Sequence, residues 1–411
     1  MTTKLAETQL PLHYPFLPGP LGTPPPVLEW ARKNHPVCPV LLPSGDQVWM
    51  ITRKNDITQV LTDPRFSRDL VYEGAPRFVG DDFSSMPGGI FNLDPPDHTR
   101  VRQVISRFYT RTGVERYRPF IQRHAAQLLD VITAGPNPAD LVPAYTAPLP
   151  LQVSCDILQV PVEHRSMFHS FFRAQTNLTI TAEEVATATR AISQFTAEVI
   201  DSKRRAGGDD GPIGALIQAR ADGDISEDEL QGTVSYLFVT GSDPLVSPLG
   251  AGVITLLVHR NQLAEVMANE ELWPKTVEEI LRYHHNGVLG VPRVALEDVT
   301  IHDVTIRKGE GVSTPMLGAT WDPAHYPNPS KFNIHRRTDG TATFGGGPHF
   351  CLGASLTRMF LRVAYQALFD RFPSLILGMN EHDIPWEYDV AFIRPASLPV
   401  AWDDKPSTTA G

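Results

Sequence analysis

Cys351 lies in the stretch Phe344-Gly345-Gly346-Gly347-Pro348-His349-Phe350-Cys351-Leu352-Gly353, just before an apolar helical pattern. A helix N-terminus gathers partial positive charge, so a cysteine there is favoured as a thiolate, the form that ligates metals. The amides of Leu352 and Gly353 are placed to hydrogen-bond the sulfur. Three consecutive glycines clear the loop of side chains where something large and flat approaches the backbone. Pro348 stiffens the approach to the ligand. A lone cysteine is also a small hydrophobe that fills a core. A phosphate loop is excluded, because no Lys-Ser or Lys-Thr follows the glycines.

Other residues share this potential. Glu279 and Arg282, three apart on a helical pattern, face one side and can pair. His98 and Arg102, four apart in Asp94-Pro95-Pro96-Asp97-His98-Thr99-Arg100-Val101-Arg102, also share a face. Arginine suits a carboxylate, which it grips with two parallel N–H groups. Either pair alone is equally an ordinary surface pair. His284-His285 lacks a third ligand and reads as a polar turn.

The cysteine stretch matches Phe-Gly-x-Gly-x-His-x-Cys-x-Gly, the haem-ligand signature of the cytochrome P450 family, at every defined position. By this resemblance Cys351 is the axial ligand of a haem b iron, with Phe344, Gly345 and Gly353 against the haem. An anionic sulfur pushes electron density onto iron and favours O–O cleavage. Asp94 to Arg102 resembles the family's D-P-P-E-H-x-x-x-R. That implies His98 and Arg102 as partners of the haem propionates, with Arg293 and His349 as further ones. Glu279 and Arg282 resemble the family's E-x-x-R. Ala319 to Pro323 and Pro329 to Arg336 resemble its meander, and Arg336 would complete a structural Glu–Arg–Arg network.

The resemblance departs at the oxygen-activating helix. The family pattern A/G-G-x-D/E-T-T/S reads here Thr240-Gly241-Ser242-Asp243-Pro244-Leu245. The acid is kept as Asp243, but Pro244 replaces the threonine that helps deliver protons. Thr240, Gly241, Asp243 and Pro244 are therefore the candidate oxygen-site residues. Proline inside a helix removes a hydrogen bond and bends it. Thr240 or Ser247 would then hold a relay water. Either the enzyme delivers protons by water and Asp243, or the substrate supplies the missing polar group. A related departure among family members acting on cyclic dipeptides points to a tryptophan-containing diketopiperazine, coupled through C–C or C–N bonds. Hydroxylation or epoxidation of another apolar natural product is the alternative. A turnover-deficient haem protein that recruits or senses is the rival from another class. Family correspondence assigns substrate contacts to the 70–90 loop, Tyr236, Val239, Thr240, Pro244, Val288, Leu289, Phe392 and Ile393. A further departure, Phe360 where the family carries an acid, is expected to alter packing or the donor-facing surface.

The elements that must position these groups are mostly helical. Val27 to Lys33 and Asp56 to Leu61 read as helices, and Val37–Leu42 with Gln47–Thr52 as a hairpin. Residues 70–92 form a long loop, a frequent place for function. Helices prevail from Thr99 to Tyr283, short strands fill 287–345, a helix runs from Leu352 to Phe369, and 390–402 reads as a closing hairpin. The predicted class is mainly α with small antiparallel β-sheets. The 411 residues, 42% hydrophobic, form one P450 domain. Its smaller β-rich lobe spans about 20–70, joined by strands at about 290–310 and 390–402. Ten of the 37 prolines lie between Pro11 and Pro43, which stiffens the lead-in.

Composition narrows the partners. A net charge of −10 argues against nucleic acid. Three cysteines without CxxC spacing suit a reducing cytoplasm. No signal-peptide pattern or unbroken apolar run is evident, so no membrane anchor is expected. Arg100, Arg102, Arg107, Arg111, Arg116 and Arg118 crowd one stretch. They make either a solvated face or, as the resemblance implies, a proximal docking surface for an acidic ferredoxin. Electrons would come from NAD(P)H through ferredoxin reductase and ferredoxin, to activate O2 for a small-molecule substrate.

Overall fold

The computed structural model describes residues 9–160, 165, 174–207, 210–284, 287, 289–290, 292–338 and 342–403. Helices dominate. Those that frame the site are α1 (Asp97–Ser106), α2 (Ala182–Arg205), α3 (Glu227–Thr240), α4 (Asp243–Val258), α5 (Trp273–Tyr283) and α6 (Ala354–Arg371). The starts of α2 and α3 are written in sequence as capping boxes. Ser226 Oγ accepts from the Glu229 N–H at 3.1 Å, while Glu229 Oε2 accepts from the Ser226 N–H at 2.7 Å. Thr181 and Glu184 repeat the exchange before α2. Helix α4 runs through the core, with all but two of its residues buried. The continuous stretch Glu227–Val258 is long and apolar enough to cross a membrane, yet 83% of its most apolar window is buried within the protein.

A six-stranded sheet forms the smaller lobe. Its strands are β1 (Leu12–His13), β2 (Val37–Leu41), β3 (Gln47–Ile51), β4 (Phe66–Ser67), β5 (Arg293–Ala295) and β6 (Gly311–Ser313), in the order β1-β2-β3-β6-β5-β4. β2 and β3 are the expected hairpin, with Val40 opposite Val48. The β1–β2 and β3–β6 pairs are parallel, and the three smaller sheets are antiparallel. Alternate strand residues such as Val40, Val48 and Met50 pack with Leu28 and Ala31 from helix Pro26–Asn34.

The segment 390–402 is not a hairpin. β8 (Arg394–Pro395) pairs with β7 (Trp386–Glu387), and Pro399–Ala401 pairs separately with Ile376–Leu377 and Ala139–Asp140. Its strands stay outside the six-stranded sheet, because three residues part them and each finds a more distant partner. Pro244 does not sit inside one continuous helix either. The helix breaks at Gly241-Ser242, and Pro244 falls in the first turn of α4, where a missing N–H costs little. Pro248 is the proline inside the helix. Phe360 is fully buried in the main hydrophobic core, so it serves packing.

Candidate active site

The cysteine loop is shaped by two left-handed glycines. Gly345 has φ +76° and Gly347 φ +64°. A Cβ on Gly347 would lie 2.3 Å from the Leu61 carbonyl oxygen, so the loop presses directly on the helix Lys54–Thr62. The Cys351 N–H donates to the Phe344 carbonyl at 3.0 Å and closes the loop on itself. Helix α6 starts three residues later. Burial raises the pKa of the Cys351 thiol, while the Gly353 N–H and the charges of Arg102 and Arg358 pull it back down. Burial outweighs them, so these contacts ease the thiolate without securing it.

The sulfur faces a cavity of about 410 Å³ lined by residues from several of the segments singled out by the sequence. On its rim stand His98 and Arg102 from α1, Arg293 from β5, and His349. The His98 and His349 rings are 4.2 Å apart. Burial, then the Arg102 charge, drops His98 to about 4. Burial, then Arg68, holds His349 far below the ordinary range. His98 Nδ1 and His349 Nε2 are buried without a partner. Arg102 donates to the Phe350 carbonyl at 2.6 Å, and Arg293 to the Phe66 carbonyl at 3.2 Å.

The other wall comes from the broken helix. Tyr236, Thr240, Gly241 and Pro244 line the cavity, joined by Leu289 and Phe392. A Cβ on Gly241 would meet Ser154 Oγ at 2.5 Å, so only glycine allows this approach. Thr240 Oγ1 donates to the Tyr236 carbonyl at 2.9 Å. Asp243 does not line the cavity. Its carboxylate is paired with Arg394, which also donates to Glu387 Oε2 at 2.7 Å. Thr176 donates to the other Asp243 oxygen at 3.3 Å. Ser247 is buried and donates to the Ile393 carbonyl, so it holds no relay water in the cavity.

Val239 and Ile393 are buried in the packing and do not line the cavity. Helix phase explains Val239, since its neighbours Tyr236 and Thr240 occupy the facing positions. Val288, like His285, lies outside the described residues. From the 70–90 loop, Phe78, Val79, Asp82 and Ile90 reach the cavity. The sequence reading missed Arg68, Phe91 and Gln175, which also line it. Arg68 belongs to no periodic pattern, and only its strand pairing brings it in.

Behind the cysteine loop, Glu279 and Arg282 are fully buried and bonded twice, at 2.7 and 2.9 Å. Arg336 Nε donates to the same Glu279 at 3.1 Å and ties down the segment Pro327–Lys331 by three backbone carbonyls.

These residues fit a haem. The sulfur supplies an axial thiolate, the glycine loop offers a flat face, and unpartnered imidazole nitrogens beside two arginines offer donors for two carboxylates.

Comparison with known proteins agrees. The family model described as Cytochrome P450 matches residues 151–395. Nocardicin C N-oxygenase of Nocardia uniformis subsp. tsuyamanensis is 35% identical over 90% of this chain and 94% of that protein. Mycinamicin IV hydroxylase/epoxidase of Micromonospora griseorubida is 33% identical over 90% of this chain and 94% of its own. The crystal structure of cytochrome P450mel 107F1 "with biaryl coupling reactivity" superposes with a TM-score of 0.85 at 33% identity, covering 92% of this chain and 96% of that one.

Proposed function

The chain belongs to the cytochrome P450 family, and from that premise we propose that it oxidises a small aromatic amide, most specifically a tryptophan-containing diketopiperazine joined through a C–C or C–N bond. The enzyme is an oxidoreductase of the kind used in bacterial specialised metabolism. It binds haem b and uses O2 with electrons passed from NAD(P)H through ferredoxin. Bound there, the haem supplies oxygen activation and one-electron oxidation of the substrate.

The residues take the following roles. Cys351 would supply the thiolate ligand to the iron, and the Gly353 N–H with the charges of Arg102 and Arg358 would oppose the effect of burial on the sulfur. His98 with Arg102, and Arg293 with His349, would hold the two propionates. Phe344 and Gly345 would lie against the macrocycle. Tyr236, Thr240, Gly241, Pro244, Leu289 and Phe392 shape the substrate side. Glu279, Arg282 and Arg336 brace the fold behind the cysteine loop.

The carrying observation is at the hinge. Pro244 faces the cavity where the family's hydroxyl would stand, while Asp243 and Ser247 are committed elsewhere. Thr240 already donates its proton to Tyr236. The wall therefore offers little to carry a proton toward oxygen, and a substrate with its own N–H and C=O groups fills that lack. Biaryl coupling in a relative of equal fold supports the coupling outcome. Hydroxylation is the second reading, supported by the mycinamicin enzyme.

Electron delivery fits the proximal side. Arg107, Arg111 and Arg116 are exposed and free of carboxylate partners among the described residues. Arg118 pairs with Glu115, and Arg100 with Glu229 and Asp97. The docking surface is the smaller set of three.

The test is product mass after incubation with tryptophan-containing cyclodipeptides and a surrogate ferredoxin pair. Twice the substrate mass less two hydrogens establishes coupling. One added oxygen makes the protein a hydroxylase. Neither product from any cyclodipeptide overturns the substrate class.

A further inference from the structure

One charged side chain on the cavity wall has no place among the haem partners. Ser67 pairs with Val294 across β4 and β5, so the next residue, Arg68, stands beside Arg293. Arg68 is only 2% exposed. Its backbone N–H donates to Asp94 Oδ1 at 3.0 Å, and its Nη1 donates to the Pro292 carbonyl. The guanidinium lies 3.8 Å above the Phe91 ring, and Phe91 stacks on Tyr236 at 4.8 Å. These attachments fix its direction. Its Nη2 is buried and unpartnered, on a residue that lines the cavity. Burial, reinforced by Arg293, brings Arg68 down to about 9, so it remains a cation at neutral pH.

Two propionates would be matched by His98 with Arg102 and by Arg293 with His349. Arg68 is a third guanidinium, and its contact with the Phe91–Tyr236 stack puts it toward the helix wall where substrate sits. Asp82 lines the same cavity and is 4% exposed. The Ser84 N–H and O–H bond it at 2.7 and 2.5 Å. Both of these bonds fall on Oδ1. Burial raises the Asp82 pKa, and Arg77 and Arg68 act against that rise. Arg68 and Asp82 form no ion pair with each other. A buried, unpartnered donor and a buried carboxylate thus line one cavity without pairing with each other, and buried polar groups are normally paired.

We propose that Arg68 and Asp82 are the two ends of an amide-recognition site, Arg68 Nη2 donating to a substrate carbonyl and Asp82 Oδ2 accepting from a substrate N–H. This rests on the amide reading of the substrate and names the residues that enforce it. A site built to bond a polar group rejects the analogue that lacks it, because its own groups are then left unpaired.

The experiment is a titration of the haem-loaded protein, followed by the haem absorbance change on binding. The probes are cyclo-(Trp-Trp), its form methylated on both ring nitrogens, and 3-methylindole. Cyclo-(Trp-Trp) should bind about tenfold more weakly to Arg68→Met and to Asp82→Asn. Methylation should cost the unmutated protein about tenfold, and Asp82→Asn nothing further. The indole should bind all three proteins alike. The methylated probe needs no variant, so a misfolded variant leaves the test standing. Equal binding of the methylated and unmethylated rings, or loss of haem content in Arg68→Met, overturns the site. Failure of the unmutated protein to bind any cyclodipeptide overturns the amide reading itself.

Discussion

The carboxylate of Asp243 is paired with the guanidinium of Arg394, and both side chains are almost wholly buried. Arg394 carries Glu387 on its other edge at 2.7 Å. One end of this chain of charges is the helix hinge and the other is Glu387 on β7, with Arg394 between them on β8, two residues after the cavity residue Phe392. The pair therefore couples the roof of the site to the C-terminal strands. Arg394→Met should leave the buried Asp243 carboxylate without its counter-charge and cost about 3–5 kcal/mol. Adding Asp243→Asn should recover part of that loss. Urea unfolding of the three proteins measures both effects.

Glu279 holds Arg282 and Arg336 at once, in a site from which water is shut out. Glu279→Gln keeps the shape and removes the charge, leaving Arg282 buried with its charge uncompensated. The expected cost is again about 3–5 kcal/mol. Faster haem loss to a haem-scavenging globin should accompany it, because the network braces the segment that leads to the cysteine loop. Unchanged haem retention would show that the network supports only the fold.

Gly347 cannot carry a side chain where it stands. Its φ is +64°, and a Cβ would lie 2.3 Å from the Leu61 carbonyl. Gly347→Ala should shift the loop that ends at Cys351 and lower haem occupancy severalfold, read by pyridine haemochrome per protein. Gly45, with φ +94° and nothing near its Cβ position, is the control. Gly45→Ala should cost about 1 kcal/mol of stability and no haem.

His284 gives the protein an acid limit. It is buried, shares a short hydrogen bond with Thr255, and is lowered to about 3, first by burial and then by the charges of Arg282 and His259. The unfolded chain binds this proton near 6.5, so between pH 6.5 and 3 the unfolded state holds more protons. Stability should fall as pH drops through that window and be insensitive to this group above it. Replacing His284 by Gln should flatten the slope of urea midpoint against pH over that range.

Local chemistry was readable in the chain, and long-range pairing was not. The glycine loop, Cys351, the Glu279–Arg282 spacing and the hairpin Val37–Ile51 each sit within a short segment whose pattern fixes its shape. Arg336 was readable because its segment carries a pattern of its own. Arg394 meets Asp243 from 151 residues away, and Arg68 reaches the cavity only because β4 pairs with β5. Neither leaves any periodic trace. The break at Gly241-Ser242 was hidden for another reason. Pro244 signals an interruption, but proline is equally at home in the first turn of a new helix, and only the backbone decides between the two.

Pro244→Thr tests what the missing hydroxyl means. Threonine at this first-turn position regains an N–H and should cost no more than about 1 kcal/mol. Its hydroxyl would face the cavity beside Thr240, whose own proton is held by the Tyr236 carbonyl. If the substrate brings the polar group, the new hydroxyl competes with it for the same position. Product formed per NAD(P)H consumed should then stay level or fall for an amide substrate. With an apolar substrate such as 3-methylindole, which has no amide to offer, the same variant should waste fewer electrons. A rise in product yield with the amide substrate would mean that proton delivery was deficient and that the substrate was not supplying it.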